Sequence, residues 1–272
     1  MQPMRQLLLA VVIGAAAVAP AAAEAPDPLG SVMWEDMRAR FFAGAKVEFD
    51  PRVKVLVPGV VENQAQVPIT ADARALGPVV KLVVFADLNP IQHVLTLTPV
   101  NAEPYIALRM KVEQATPVRA AALTADGVWH VGSAYLDAAG GGCSAPAVAR
   151  KDADWSLTVG QTQGRAWRQA GGATRVRVRI RHPMDTGLSK DNIPAFFIER
   201  LEMTGSKGQR LAEIEMFEPV SEDPTLTMLV RLPGAESGVS VLGRDNNGSE
   251  YRSVIPAGWK ESGLNGATTS AR

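Results

Sequence analysis

The sequence predicts an all-β protein: two β-sandwich domains joined by a glycine-rich connector that carries the only cysteine. Three observations lead there. From residue 53 onward apolar side chains recur with a period of two, in short runs separated by Gly, Pro, Asn and Asp turns, the pattern of a sandwich. Helical periodicity is confined to one short stretch before that point. The strand-like runs fall into two groups, with a polar stretch rich in glycine and glutamine between them over 139–173.

The chain begins Met1-Gln2-Pro3-Met4-Arg5, runs apolar from Leu7 to Val18 and reaches Ala21-Ala22-Ala23. A short basic start, a short apolar core and an Ala-x-Ala site make a secretory signal peptide over 1–23, cleaved after Ala23. The apolar run is too short to span a bilayer comfortably. No other segment reads as a membrane span, and the mature protein is expected to be soluble and periplasmic. Lys plus Arg and Asp plus Glu are 28 each. Removing Arg5 with the signal leaves a net charge of −1, which offers no general electrostatic case for nucleic acid. A linker with Pro26 and Pro28 follows. Residues 31–42 read as an amphipathic helix, with Met33, Met37 and Phe41 at helical spacing, Ser31 as N-cap and Gly44 to end it.

Strands are expected at 53–57, 66–70, 80–86, 94–100, 105–112, 118–124 and 128–136. Pro58-Gly59, Asn89-Pro90, Glu103-Pro104, Thr116-Pro117 and Asp126-Gly127 punctuate them. The Asp126-Gly127 pair is a hairpin turn, and the strand after it leads into Gly140, Gly141, Gly142 and Cys143. Free cysteines are commonly small buried hydrophobes. This one stands among Gly, Ser, Ala and Pro, and three glycines make the backbone permissive, so an exposed thiol on a mobile arm is the preferred reading. One cysteine cannot form an internal disulfide; it stays free, pairs with another molecule or carries something. Within the connector, 156–159 reads as one short strand, and Trp155 and Trp167 as points that dock on a domain surface.

In the second region Arg175, Arg177, Arg179 and Arg181 alternate with Val176, Val178 and Ile180. An anion or acidic-partner site fits that basic face. Cross-strand pairing with Glu213 and Glu215, on a strand over 211–217, is the plainer expectation. Further strands are expected at 195–203, 226–232, 239–244 and 250–254. Asp245-Asn246-Asn247-Gly248 is a hairpin turn with too few acidic ligands for calcium, and the end of the chain is expected to fray.

Several chemistries are missing. His93, His130 and His182 do not have metal-ligand spacing, and Cys143 has no paired cysteine, so no metal or cofactor is expected. A cysteine hydrolase would need His130 or His182 brought to Cys143, and a glycine-flanked nucleophile is poorly preorganised for that. His182, before Pro183, is expected to end a strand and hydrogen-bond locally.

Glu62-Asn63-Gln64-Ala65-Gln66-Val67-Pro68, Asn89-Pro90 and Gly141-Gly142-Cys143 resemble the motifs of SoxY, one half of a periplasmic sulfur-oxidation carrier. His182-Pro183-Met184-Asp185-Thr186-Gly187, with Lys190-Asp191 and Ile193-Pro194-Ala195-Phe196-Phe197-Ile198, resembles SoxZ, the other half. In this order they resemble the fused SoxYZ-like carriers associated with quinoprotein dehydrogenases. The resemblance implies immunoglobulin-like sandwiches at 30–138 and 174–258, flanked by the signal at 1–23, the arm and linker at 139–173 and a disordered tail at 259–272. It implies a carrier and not an enzyme, holding a sulfur-containing intermediate on Cys143 of a Gly140-Gly141-Gly142 arm for periplasmic oxidoreductases or a quinoprotein dehydrogenase system. A scaffold or binding module for such a dehydrogenase, with Cys143 incidental, is the alternative. The sequence departs from SoxY in two ways: the arm lies inside the chain, and Ser144 and Ala145 follow the cysteine in place of glycines.

Overall fold

Residues 26–151, 153–232 and 238–260 are described by a computed structural model. The signal peptide expected over 1–23 lies outside these residues, as does the tail beyond Lys260. The first half contains α1 (Trp34–Phe42), β1 (Val47–Phe49), β2 (Lys54–Leu56), β3 (Val67–Asp72), β4 (Val79–Ala86), β5 (His93–Pro99), β6 (Ala102–Met110), β7 (Thr116–Thr124) and β8 (Trp129–Leu136). The second contains α2 (Trp155–Thr158), β9 (Thr162–Arg168), β10 (Thr174–Ile180), β11 (Ile198–Gly205), β12 (Arg210–Met216), β13 (Thr225–Val230), β14 (Gly238–Asp245) and β15 (Glu250–Lys260). All seven strands expected in the first region form, within a few residues at either end.

Four details differ from expectation. β1 is three residues long, too short to show a period. The connector 139–173 contains strand β9, which belongs to the second sandwich. Residues 156–159 do not form a strand: the chain makes a single helical turn, with Leu157 N donating to Asp154 O at 3.0 Å. The last strand, expected over 250–254, runs on to Lys260.

The strands form two layers. One runs β1-β8-β7-β4-β5-β12-β11-β14-β15, the other β15-β9-β10-β13-β6-β3-β2, and the long β15 takes part in both. The halves meet edge to edge in each layer. β5 pairs antiparallel with β12, Leu97 opposite Ile214, and β6 pairs antiparallel with β13, Ile106 opposite Met228. Each half thus covers edges the other would leave open to unwanted pairing. One apolar core runs through both, from Val67, Leu82 and Leu108 in the first half to Val176, Ile214 and Val241 in the second.

β4 and β7 read as nearly unbroken apolar runs because both faces are covered. Their outer face receives α1, whose Trp34, Met37 and Phe42 pack on Val83, Phe85, Ala121 and Trp129. Burying side chains of this size stabilises by ~1.5–3 kcal/mol each. The helix starts later than its cap signal suggests: Ser31 Oγ accepts from Met33 N, and Ala43 in the left-handed region ends it before Gly44.

The residues expected to be a linker after the signal are also tied down. Asp27 accepts from Arg119 at 2.6 and 2.8 Å, and Asp87 accepts from the same guanidinium at 2.8 and 3.1 Å. Arg119 is fully buried and lies 4.7 Å from the Trp34 ring centroid. Removing one partner of such a cluster strands the remaining charges. Arg119→Met is therefore expected to lower the free energy of unfolding by ~3–5 kcal/mol, read as a fall in the urea midpoint at unchanged m. A loss within experimental error would show that the cluster does not anchor the amino-terminal segment.

Candidate functional site at Cys143

The segment that seats the cysteine begins on β6. Lys111 follows that strand, is buried, and has its backbone held on both sides. Its N–H donates to Pro219 O at 2.7 Å, and its carbonyl accepts from Asn89 Nδ2 at 2.9 Å. The Asn89 side chain also accepts from Glu113 N at 3.0 Å, so the Asn89-Pro90 turn fixes residues 111–113. Val112 N donates to Gln64 O, placing the Glu62-to-Pro68 run alongside.

The arm lies along this platform. Gly142 N donates to Val112 O at 2.9 Å and Gly141 N to Glu113 O at 3.2 Å. Gly140 has φ +99°, and a Cβ there would come 2.2 Å from Glu113 O; a Cβ on Gly142 would come 2.1 Å from Gln64 O. Close backbone approach is thus what these glycines serve. The arm is docked, and Cys143 is fully buried, which corrects the expectation of an exposed thiol. Arm glycines that read as freedom in the sequence act here as clearance.

Polar groups hold the docked arm. Glu113 accepts from Cys143 N at 2.9 Å, Ser144 N at 3.0 Å and Ser144 Oγ at 2.9 Å. Thr186 Oγ1 donates to Cys143 O at 2.6 Å. Downstream, Glu222 accepts from Val148 N at 2.7 Å and Ala149 N at 2.6 Å, and Arg150 makes a 2.5 Å ion pair with Asp185. Trp155 docks as expected: Arg150 lies 4.4 Å from its ring centroid, and it meets Phe196 at 6.4 Å.

The His182-to-Gly187 run of the second half supplies much of this seat. Met184 O accepts from the Lys111 ammonium, which also reaches Glu218 O at 3.5 Å. Asp185 takes Arg150 and Thr186 takes the Cys143 carbonyl. His182 plays a positioning part, as the local reading expected: its Nδ1 accepts from Met184 N at 3.1 Å and its ring packs on Phe196. Burial pushes the imidazole down to about 4, so it is neutral at pH 7. His130 is held by Asp50 at 2.9 Å. Among the described residues neither histidine hydrogen-bonds Cys143, so no nucleophile–base pair forms, and no cluster of three or more His, Cys, Asp and Glu could hold a metal.

Burial pushes the Cys143 thiol up to about 12, the Glu113 charge adds to the rise, and Lys111 opposes it. Burial lowers Lys111 to about 8, with Cys143 among the groups pulling it back up. At pH 7 the docked pair is therefore a protonated thiol beside an ammonium, and the docked cysteine is a poor nucleophile, since the thiolate is the reactive form. Arg150, nearby in sequence, does not activate the thiol: it is committed to Asp185, and burial dominates.

Fold and seat define a two-part sandwich protein that stores one inert thiol at the junction of its halves. Comparison with family models places the chain. The model for sulfur oxidation protein SoxY matches residues 38–143, and that for sulphur oxidation protein SoxZ matches residues 163–255. Together they take in more than half of the chain, which belongs to the fused SoxY–SoxZ sulfur-oxidation carriers; it is a carrier and not an enzyme. The SoxY match ends on Cys143. A search of curated proteins finds no match. Among solved structures, the sulfur carrier protein SoxY from Chlorobium limicola f thiosulfatophilum is 17% identical, with 39% of this chain and 94% of that chain covered and a TM-score of 0.35. A glycosyl hydrolase family 2 member from Bacteroides cellulosilyticus DSM 14838 is 12% identical, with 74% and 28% covered and a TM-score of 0.22. A beta-glycosidase from Bacteroides vulgatus is 11% identical, with 76% and 25% covered and a TM-score of 0.21. The chain thus spans about a quarter of each of these two hydrolases.

Two predictions follow from the seat. Gly142→Ala places a methyl on Gln64 O, which cannot yield, so the arm should leave its platform. Alkylation of Cys143 by iodoacetamide at pH 7.5 is expected to accelerate by at least about tenfold; an unchanged rate would mean the docked arm is not what silences the thiol. The pH profile separates the states as well. The wild-type alkylation rate should still be climbing above pH 10, whereas Gly142→Ala should level off past the ordinary thiol value near ~8.5.

Proposed function

We propose that Cys143 is the covalent attachment point of the carrier and that the Gly140-Gly141-Gly142 arm delivers it by leaving its seat. The observation that carries this reading is the way the cysteine is held. Its N–H donates to Glu113, its carbonyl accepts from Thr186, and Gly141 and Gly142 before it donate to the platform backbone; each bond is of modest net worth at ~0.5–1.5 kcal/mol, so the dock can open without unfolding a sandwich. Release also returns the thiol towards its ordinary titration range. Because Glu222 and Asp185 hold the chain from Val148 onward, the arm swings as a loop over residues 138–147. Half of that loop, fully extended, lets the sulfur travel ~15 Å.

In the loaded state Cys143 Sγ is joined to the sulfur of an anionic intermediate. Forming that S–S bond from a thiolate and a sulfur anion releases two electrons, which a partner oxidoreductase accepts; the carrier supplies the attachment point. The partners are periplasmic oxidoreductases, among them a quinoprotein dehydrogenase system. The signal-like sequence at 1–23 supports a periplasmic site, and among the described residues no helix is long and apolar enough to cross a membrane.

Intact-mass measurement of the protein from its own cells, while the pathway runs, should show a fraction carrying added sulfur-containing mass that a thiol reductant removes. Cys143→Ser should abolish both the adduct and pathway flux while leaving the unfolding midpoint close to that of the wild type. A pathway that runs unchanged with Cys143→Ser would reduce the protein to a scaffold.

A further inference from the structure

The arginine ladder of β10 does not meet the partners its sequence suggests. Glu213 and Glu215 lie on β12 in the other layer, where Glu213 pairs with Arg200 at 2.9 Å and Arg210 at 3.1 Å. β10 pairs instead with β9 and β13, and the register sets Arg177 directly opposite Arg165. Opposed positions on one face have Cβ atoms ~4.5–5.5 Å apart, and like charges there are destabilising. Asp223 neutralises Arg179 at 2.7 Å at one end of the ladder. Arg165 and Arg177 are exposed, and neither has an ion-pair partner among the described residues; the same holds for Arg109 on β6. Trp167, half-buried, stands next along β9, opposite Arg175.

We infer that this face, centred on Arg165, Arg177 and Arg109 with Trp167 at its side, docks an acidic protein surface. Arg165 and Arg177 stand side by side, and the acids nearby are already engaged, Asp223 with Arg179 and Arg181 and Glu222 with the Val148 and Ala149 amides, so external carboxylates are what relieve the repulsion. Arg165 and Arg109 stand on the outer two of four adjacent strands, β9-β10-β13-β6, which at ~4.8 Å per strand separates them by ~14 Å. That span exceeds a small oxyanion and suits a patch of several side chains. Arg and Trp are also the residue types that carry binding energy at protein interfaces. The face adjoins the arm: an open hollow of about 470 Å³ is lined by Arg109 and Arg177 together with Val148 and Glu222, where the chain leaving Cys143 is pinned. A partner seated there stands beside the point from which the thiol swings. This surface adds a partner's chemistry to the carrier reading, and its test does not depend on the thiol.

The test is site-specific cross-linking in cells that natively express the protein. A photo-reactive benzoylphenylalanine replaces Gln163, which is exposed on the same face beside Arg179, and the cross-linked peptides are identified by mass spectrometry. The expected result is a cross-link to a protein segment rich in Asp and Glu. Its yield should fall about tenfold or more with Arg165→Glu plus Arg177→Glu, because charge opposition at an interface is strongly unfavourable. The same reversal at Arg200 and Arg244, in the other layer, should leave the yield unchanged, and Cys143→Ser should cross-link like the wild type, so that docking and carriage are read separately. A cross-link to a neutral or basic segment or to lipid, a yield indifferent to the reversal at Arg165 and Arg177, or no cross-link at all would overturn the inference.

Discussion

The seat of the cysteine depends on a lysine ammonium taken out of water. Lys111 ends the platform strand of the first half, and its side chain is buried at the junction. An ammonium placed there without acceptors would be strongly unfavourable, and the acceptors come from the second half, the carbonyls of Met184 and Glu218. Satisfying Lys111 therefore draws the 182–187 segment onto the first sandwich. The same segment then presents Thr186 to the Cys143 carbonyl and Asp185 to Arg150. One buried charge thus brings the two halves to a single point, and the thiol lies at that point.

Edge pairing ties the two halves together more firmly than anything ties the arm. With β5 on β12 and β6 on β13, both layers continue across the junction and share one core, so moving one half against the other would break ladder hydrogen bonds in two sheets. The arm has no such ties. It makes two backbone bonds to residues 112 and 113, and most of its other ties are side-chain caps. Its position inside the chain, rather than at an end, fits this division. The chain must cross from β8 to the second half in any case, and the crossing passes over the Lys111 platform.

The strands were legible because a two-layer sandwich imposes the period-two pattern that the sequence displays, and turns such as Asp126-Gly127 fall where hairpins need them. β4 and β7 kept their identity even though α1 covers a second face and erases the alternation. What escaped was short or non-local. β1 has three residues, and β9 lies in a glycine- and glutamine-rich stretch, held between the next strand, β10, and the distant β15. The Arg175-to-Arg181 ladder forms one basic face, as its alternation predicts, but lies between β9 and β13 and not beside Glu213 and Glu215, since alternation says nothing about which strand lies alongside. The motifs around Gln64, Asn89 and Thr186 were visible as runs; that all three serve one cysteine was not.

By itself the sequence determined the period of the strands, the single thiol, the glycines before it and the order of the two family halves, because each is a local property of composition and spacing. Only the tertiary structure decided that the halves share both sheets and that Lys111, Glu113 and Thr186 close on one point. It also decided that the thiol is stored rather than displayed. Burial is a relation between segments distant in the chain. Three glycines permit a swinging arm and a close-fitting one equally well, and the carbonyls of Gln64 and Val112 lying against Gly142 make it the second in the docked protein.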